Sequence, residues 1–171
     1  MRIGYLLGAT ALLLAGCGEP ALKGNMTAEE VADELSQMKI RHGQWEATSE
    51  ILSASAPGMP AQAMKQMIGR KTNVTNCITP EQAAKPNANF LAAQKGSNCT
   101  YQDWSMSGGE MRGTMTCEGG GAPGQVVMKM DGRYGEESYE MTMDMETTGL
   151  PGGMSMNVKA RTLGRRLGEC S

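Results

Sequence analysis

Apolar and polar residues alternate along most of this chain with the period-two spacing of a β-strand. The alternation is clearest at residues 139–146, where a tyrosine and three methionines share one side, and acidic residues and threonine share the other. Because one side of each such stretch is apolar, we expect antiparallel strands with a single buried face. The predicted strands cover residues 43–53, 70–78, 98–106, 111–117, 125–131, 138–147 and 154–163.

Helical spacing replaces the alternation at a few places. Thr27 and Glu30 have the spacing of a capping box, and the apolar residues that follow recur every three or four positions. This pattern predicts an amphipathic helix over residues 28–39. Shorter helices are predicted within residues 56–69, from Pro80 as a first helical residue, and over residues 87–94.

Turn residues separate the predicted strands, so that each strand can pair with the next along the chain. Joins are predicted at Asp131-Gly132, at residues 149–153, and around Gly108-Gly109, which is typical of a hairpin. We therefore predict a mainly β fold with small α content. It consists of a single antiparallel meander sheet of about seven strands, flat or curled, with an N-terminal helix and short connecting helices.

The first residues are typical of an exported lipoprotein. Arg2 gives a positive start, and the uncharged apolar run at residues 3–14 is too short to span a bilayer as a helix. The tetrapeptide that ends at Cys17, Leu-Ala-Gly-Cys, resembles the lipobox of bacterial lipoproteins. Proteins with that motif are cut before the cysteine, whose sulfur carries a diacylglyceryl group, and several acyl chains give stable membrane attachment.

This resemblance sets the expected boundaries and location. We predict a signal peptide at residues 1–16, a lipid-anchored tether at 17–26 and a single disulfide-stapled β domain at 27–171. The protein is expected to be exported and anchored to the bacterial envelope through its lipid. Gly18 stands where an aspartate is linked to inner-membrane retention in enteric bacteria, so we favour the outer membrane, facing the periplasm.

Charge and composition narrow the expected partners. The formal net charge is −2 and no basic run is present, so nucleic acid is not an expected partner. With one histidine, His42, and no recognisable catalytic constellation, we predict neither enzymatic activity nor a cofactor. The expected partners are the membrane, through the lipid, and an unknown envelope protein or a small apolar ligand.

Four cysteines remain beside the lipidated one, and an even number in an exported chain predicts two disulfides with three possible pairings. If residues 107–109 form a three-residue loop, Cys99 lies directly opposite Cys117 across the hairpin. A two-residue loop would shift the pairing by one position. We favour Cys99–Cys117, which leaves Cys77–Cys170 as the second bridge.

Methionine is unusually frequent, with sixteen residues against a single phenylalanine. Met-x-Met pairs place thioethers on one face of a strand, and soft thioethers suit Cu(I). Met141, Met143 and Met156 are the first candidates for such a site. Core packing is the simpler interpretation, because methionine is a flexible apolar filler. A methionine-lined pocket for an apolar ligand is a third interpretation.

Several short motifs, taken in order, resemble one bacterial family, the domain of unknown function 3617. They are Gly-Gln-Trp-Glu at residues 43–46, the Cys-Ile-Thr-Pro-Glu of residues 77–81, the central cysteines Cys99 and Cys117, and Arg-Leu-Gly-Glu-Cys at 166–170. His42 and Gln44 depart from the usual proline and apolar residue. The resemblance implies small exported or lipid-anchored proteins of Gram-negative bacteria, and it implies no activity. The predicted function is therefore an uncharacterised lipid-anchored envelope protein, a non-enzymatic module that binds a partner or ligand. The alternative is a periplasmic Cu(I)-binding protein.

Overall fold

The structure, a computed structural model, describes residues 24–84, 97–119 and 124–170. This part of the chain contains seven strands and three short helices. The strands are β1 (Gly43–Ser55), β2 (Lys71–Ile78), β3 (Ser97–Ser107), β4 (Glu110–Gly119), β5 (Gln125–Tyr134), β6 (Ser138–Leu150) and β7 (Met154–Gly168). The helices are α1 (Ala28–Ser36), α2 (Ala61–Met67) and α3 (Pro80–Ala84). The helix predicted over residues 87–94 and the predicted signal peptide lie outside the described residues.

All seven strands belong to one antiparallel sheet with the order β2-β1-β7-β6-β5-β4-β3. Strands β3 to β7 form a meander, and the β1–β2 hairpin is added beside β7. The sheet is therefore an open meander, and β2 and β3 are its two edge strands. This confirms the predicted fold class.

The two faces of the sheet differ in polarity, as the alternation predicts. The apolar side, which we call the inner face, is represented by five residues that oppose one another across β3 to β7: Tyr101, Met115, Met128, Met145 and Val158. The outer face carries exposed ion pairs, such as Glu140–Arg161 at 2.7 Å and Glu46–Arg165 at 2.9 Å. Exposed pairs contribute about 1 kcal/mol or less each, so stability depends on the inner face.

Helix α1 covers the inner face beside β3. The predicted capping box is present: Thr27 Oγ1 accepts from the Glu30 amide at 3.3 Å, and Glu30 Oε2 accepts from the Thr27 amide at 2.7 Å. Val31 and Leu35 are buried on the face that meets the sheet. The Met38 amide bonds to the Leu35 carbonyl at 3.0 Å, and this tighter last turn ends the helix before residue 39.

The packed chain begins before α1. Met26, the last residue of the expected tether, is buried and forms two backbone hydrogen bonds with Tyr101 on β3, at 2.8 Å and 3.3 Å. The free side of β3 is thereby covered at this one position, where an unpaired edge would otherwise expose backbone donors and acceptors.

The β3–β4 hairpin has a two-residue turn, so the predicted three-residue loop is wrong. Ser107 opposes Glu110, and the turn consists of Gly108 and Gly109 with φ of 61° and 81°. Positive φ at both central residues gives the turn whose twist matches that of the flanking strands, and glycine adopts it without steric strain.

A β-bulge in β3 restores the pairing that the short turn would have shifted. Asp103 and Trp104 together oppose the single residue Gly113, and Asp103 has a φ of 52°. Beyond the bulge the register changes by one, and Cys99 lies opposite Cys117. The favoured cysteine pairing is therefore present, although the geometry that produces it differs from the one expected.

Both disulfides favoured by the sequence are formed. Cys99 and Cys117 join β3 to β4 with their Cα atoms 4.1 Å apart. Cys77 and Cys170 join the end of β2 to the second residue after β7, with Cα atoms 5.6 Å apart. The second bridge therefore connects the two strands that flank β1, because β1 pairs with β2 on one side and with β7 on the other.

The predicted join at Asp131-Gly132 is wrong, because β5 continues to Tyr134. Gly132 lies opposite Met141, and a Cβ atom at this glycine would collide with the Glu140 carbonyl and with the Met141 sulfur. The glycine therefore provides room for a methionine side chain within the sheet and does not form a turn.

The two disulfides should differ in their contribution to stability. Replacing Cys77 and Cys170 together by serine removes a cross-link of sequence separation 93, whereas replacing Cys99 and Cys117 removes one of separation 18. Chain-entropy estimates give losses of about 5 and about 3 kcal/mol in the free energy of unfolding. Urea unfolding of the mature chain measures both values. A larger loss for the hairpin pair would contradict this ranking.

Candidate functional site

The predicted site residues are cysteines and methionines. Cys17 lies outside the described residues, and the four other cysteines form the two disulfides. Met141 is buried and Met143 half-buried, both on the inner face of β6. Met156 lies on the same face but on β7.

The strand register does not bring the three candidate copper ligands together. Met141 belongs to the pair Met141–Thr162, whereas Met156 is paired with Thr147. Six positions along β6, at about 3.4 Å per residue, place these pairs about 20 Å apart. One ion cannot contact sulfur atoms on both, so the proposed combination of Met141, Met143 and Met156 is wrong as a single site.

A different set of methionines is adjacent across the strands. Met115 on β4 opposes Met128 on β5, and Met128 opposes Met145 on β6. Directly opposed residues have Cβ atoms about 5 Å apart, so flexible thioethers from three neighbouring strands can approach one another. We call these three residues the methionine row. Only the first is fully buried.

Aromatic rings and methionines fill the core beneath α1. Trp104 and Tyr101 are completely buried, with ring centroids 5.8 Å apart in an edge-to-face arrangement. A Cβ atom on Gly113 would lie 2.4 Å from the Trp104 ring, so the glycine provides the space for it. The Tyr101 hydroxyl and the Trp104 indole nitrogen have no hydrogen-bond partner among the described residues. Burial also raises the pKa of the Tyr101 phenol.

The inner face is less well covered beyond β6. Small or branched side chains there, such as Ala47 and Ala160, are half-buried, and Val74 on the edge strand β2 is exposed. Trp45 and Tyr139 stack with centroids 6.1 Å apart and close one end of this region. The remainder of the face is open to solvent at the other end, near α2.

A groove of about 500 Å³ lies where α2 packs beside the end of β1. Ala54 and Ser55 at the end of β1 line the groove, together with Asn157 of β7, which is paired with Ser55. The apolar walls include Met59, Met64 and Ile68. Met59 and Ile68 are each 45% exposed although both are large and hydrophobic.

One side of α2 faces this groove. The helical residues that line it, Ala61, Met64 and Lys65, are followed by Ile68 at a spacing that places all four on the same side of the helix. Lys65 is the one charged residue among the lining residues, and the other polar groups are a serine hydroxyl and the Asn157 amide. The lining therefore combines apolar walls with a single cation.

The only histidine takes part in an ionic cluster on the surface. His42 Nε2 lies 3.7 Å from the Glu169 carboxylate, and the His42 carbonyl accepts from Arg166 at 2.7 Å. Arg166 also pairs with Glu169, and Arg41 with Glu137 at 2.7 Å. These contacts join the segment before β1 to the end of β7 and to the β5–β6 connection. The cluster therefore holds these three segments together at one corner of the sheet.

The described residues include neither a candidate metal cluster nor a membrane-spanning helix. Within residues 24–84, 97–119 and 124–170, no group of three histidine, cysteine, aspartate or glutamate side chains could hold a metal ion. The helices in these ranges are all too short to cross a bilayer.

Reasoning from the sequence missed the groove. The sequence feature that points to it is the segment Ala56 to Gly69, which is unusually rich in apolar residues although it also contains turn residues. The sequence could not show that α2 turns this segment back against β1.

The family described as "Protein of unknown function (DUF3617)" matches residues 40–170. No curated protein and no solved structure matches the chain.

Proposed function

This chain belongs to the family DUF3617, and we propose that it is a lipid-anchored, non-enzymatic envelope protein that binds a small apolar ligand in the groove beside α2. The family description supplies no activity. The proposal therefore rests on the groove, on the residues that line it and on the lipobox at Cys17.

The observation that carries the proposal is the exposure of Met59 and Ile68, two large apolar residues that line the same groove. Single exposed apolar residues are common, but apolar side chains grouped around a groove mark a surface that binds something. The volume of about 500 Å³ lies within the range of about 300–1,000 Å³ for small-molecule sites. Met64 adds a flexible wall that can adapt to ligands of different shape.

The predicted anchor supports a role close to a membrane. The buried Met26 lies nine positions after Cys17, and an extended chain spans at most about 3.5 Å per residue. A lipid on Cys17 would keep the folded domain within about 30 Å of the membrane surface. Apolar molecules are concentrated there, so a groove of this kind has access to its ligand.

The chemistry of the lining supports binding and not catalysis. Among the described residues, the groove is lined by one ammonium group, one amide and one hydroxyl beside apolar residues, and by no carboxylate, imidazole or thiol. General acid–base or nucleophilic catalysis relies on such groups held within hydrogen-bond distance of each other. Lys65 alone would have no neighbouring group to activate it.

Binding can be tested with N-phenyl-1-naphthylamine, a neutral apolar probe whose fluorescence rises on burial. The mature chain without its lipidated cysteine, residues 18–171, should bind it saturably. Ile68→Ser should weaken binding about fivefold, because a partly buried apolar contact of about 1 kcal/mol is lost.

Leu163→Ser is the matched control, since Leu163 is 44% exposed and lies on the outer face, against 45% for Ile68 in the groove. The control should keep the affinity of the parent chain. Equal weakening by both substitutions, or the absence of saturable binding, would refute the proposed site.

The anchor has its own test. Cys17→Ser in the full chain should abolish incorporation of labelled palmitate and release the protein from the membrane fraction, because the sulfur that carries the diacylglyceryl group is absent. The two disulfides should form as before, as mapped by non-reducing peptide analysis. Retained lipid label on the variant would exclude lipidation at Cys17.

Cu(I) binding is a second candidate, and the methionine row is the observation that favours it. Met115, Met128 and Met145 present three soft thioether ligands on neighbouring strands, in a partly dry environment. The methionine row replaces Met141, Met143 and Met156 as the candidate set of copper ligands. The same residues also pack the core, so the register alone does not separate the two roles.

Anaerobic titration with Cu(I) against a competing chelator distinguishes them. If the row binds copper, the affinity should be tighter than micromolar, and Met128→Leu and Met145→Leu should each weaken it at least tenfold. Leucine has a similar volume, so the fold should be retained. Met156→Leu is the control and should have no effect. Affinity no tighter than micromolar in the parent chain would eliminate copper.

A further inference from the structure

We propose that the ligand of the groove is a single-chain amphiphile with an anionic head group, such as a fatty acid, and that Lys65 selects the head group. This inference rests on the proposed function, because it names the chemical class of ligand for the same site. Its evidence is the position of one cation on an apolar helix face.

Lys65 lies among apolar residues on the side of α2 that faces the groove. Met64 precedes it and Ile68 follows almost one turn later, and both line the same groove. This side of α2 is open to solvent at Ala61, Lys65 and Ile68, whereas Met64 is buried. The lysine stem can extend along the apolar wall while its ammonium group remains hydrated at the rim.

No described carboxylate pairs with Lys65. The nearby lysine at the start of β2, Lys71, pairs with Glu50 at 3.5 Å, whereas no described acidic side chain lies within 4.0 Å of the Lys65 ammonium. The lining of the groove contains no acidic residue either. An anionic head group would therefore meet a cation without displacing an existing partner.

The C-terminal end of α2 offers a competing explanation, because a cation in the last turn of a helix is stabilised by the helix dipole. That explanation predicts a small effect of Lys65 on stability and none on ligand choice. Selectivity for the charge of the head group therefore separates a binding role from a purely structural one.

The shape of the groove restricts the apolar part of the ligand. Its lining comes from one short helix, the end of β1, the Pro57–Met59 turn and Asn157 on β7. A volume of about 500 Å³ that is open along one side accommodates one flexible chain more readily than the paired chains of a membrane phospholipid. We therefore assign the ligand to single-chain compounds.

The experiment compares three compounds with the same ten-carbon alkyl chain: undecanoate, decanol and decyltrimethylammonium, each used below its micellar concentration or solubility limit. They displace N-phenyl-1-naphthylamine from residues 18–171 at low ionic strength. Undecanoate should bind about threefold more tightly than decanol, as expected for one ion pair at an exposed rim, and the cation should bind most weakly. Added salt should reduce the difference.

Lys65→Gln should remove the preference for undecanoate and leave the affinity for decanol unchanged. Lys65→Glu should reverse the order, so that decyltrimethylammonium binds more tightly than undecanoate. Lys39→Gln is the control for net charge, because Lys39 is an exposed lysine that does not line the groove. Circular dichroism and thermal unfolding confirm that each variant is folded.

The outcomes separate the two levels of the proposal. Equal affinity for the three compounds, or an unchanged preference in Lys65→Gln, would overturn the anionic ligand and leave apolar binding in the groove intact. If neither the naphthylamine probe nor any of the alkyl compounds bound, the proposed function would fail together with this inference.

Discussion

The bulge at Asp103 and Trp104 is the constraint on which the rest of the packing depends. The two-residue glycine turn alone would place Cys99 and Tyr101 on the outer face, because a shift of one position moves every following side chain to the other side. The extra residue in β3 reverses that shift. As a result Trp104, Tyr101 and Cys99 all face inward, and the hairpin disulfide and the aromatic core form on the same side of the sheet.

Glycine and methionine together compensate for the scarcity of aromatic residues. Two large rings lie over glycines: Trp104 over Gly113, and Tyr139 over Gly164. Flexible methionines occupy the space between these rings on β4, β5 and β6. This arrangement gives close packing under α1, but β1, β2 and β7 contribute mainly small side chains to the inner face. The difference between the two halves explains why one end of the sheet remains open.

The sequence predicted most of the fold because alternation with a period of two is a local property. All seven strands, the capping box at Thr27 and the fold class were accessible in this way. The bulge also leaves a trace in the sequence, because two residues and not one separate Tyr101 from Trp104, which breaks the alternation. The turn residues nearby made this break hard to recognise. The sequence could not show which methionines are adjacent across the strands, because the partners of Met156 depend on the length of the β6–β7 turn. The groove was inaccessible for a related reason: it depends on how α2 returns to β1, a tertiary contact with no period in the sequence.

The open end of the sheet also decides between two interpretations of the exposed apolar residues. If Met59 and Ile68 only completed a core, the side chains between them would be expected to be apolar and the space between them filled. Instead the structure has a groove there, and a lysine without an acidic partner lies on its wall. An apolar surface with one cation is poorly suited to packing, because the charge must stay hydrated. It is well suited to a ligand that is apolar over most of its length and negatively charged at one end. The arrangement of the residues thus favours a binding surface over an imperfect core.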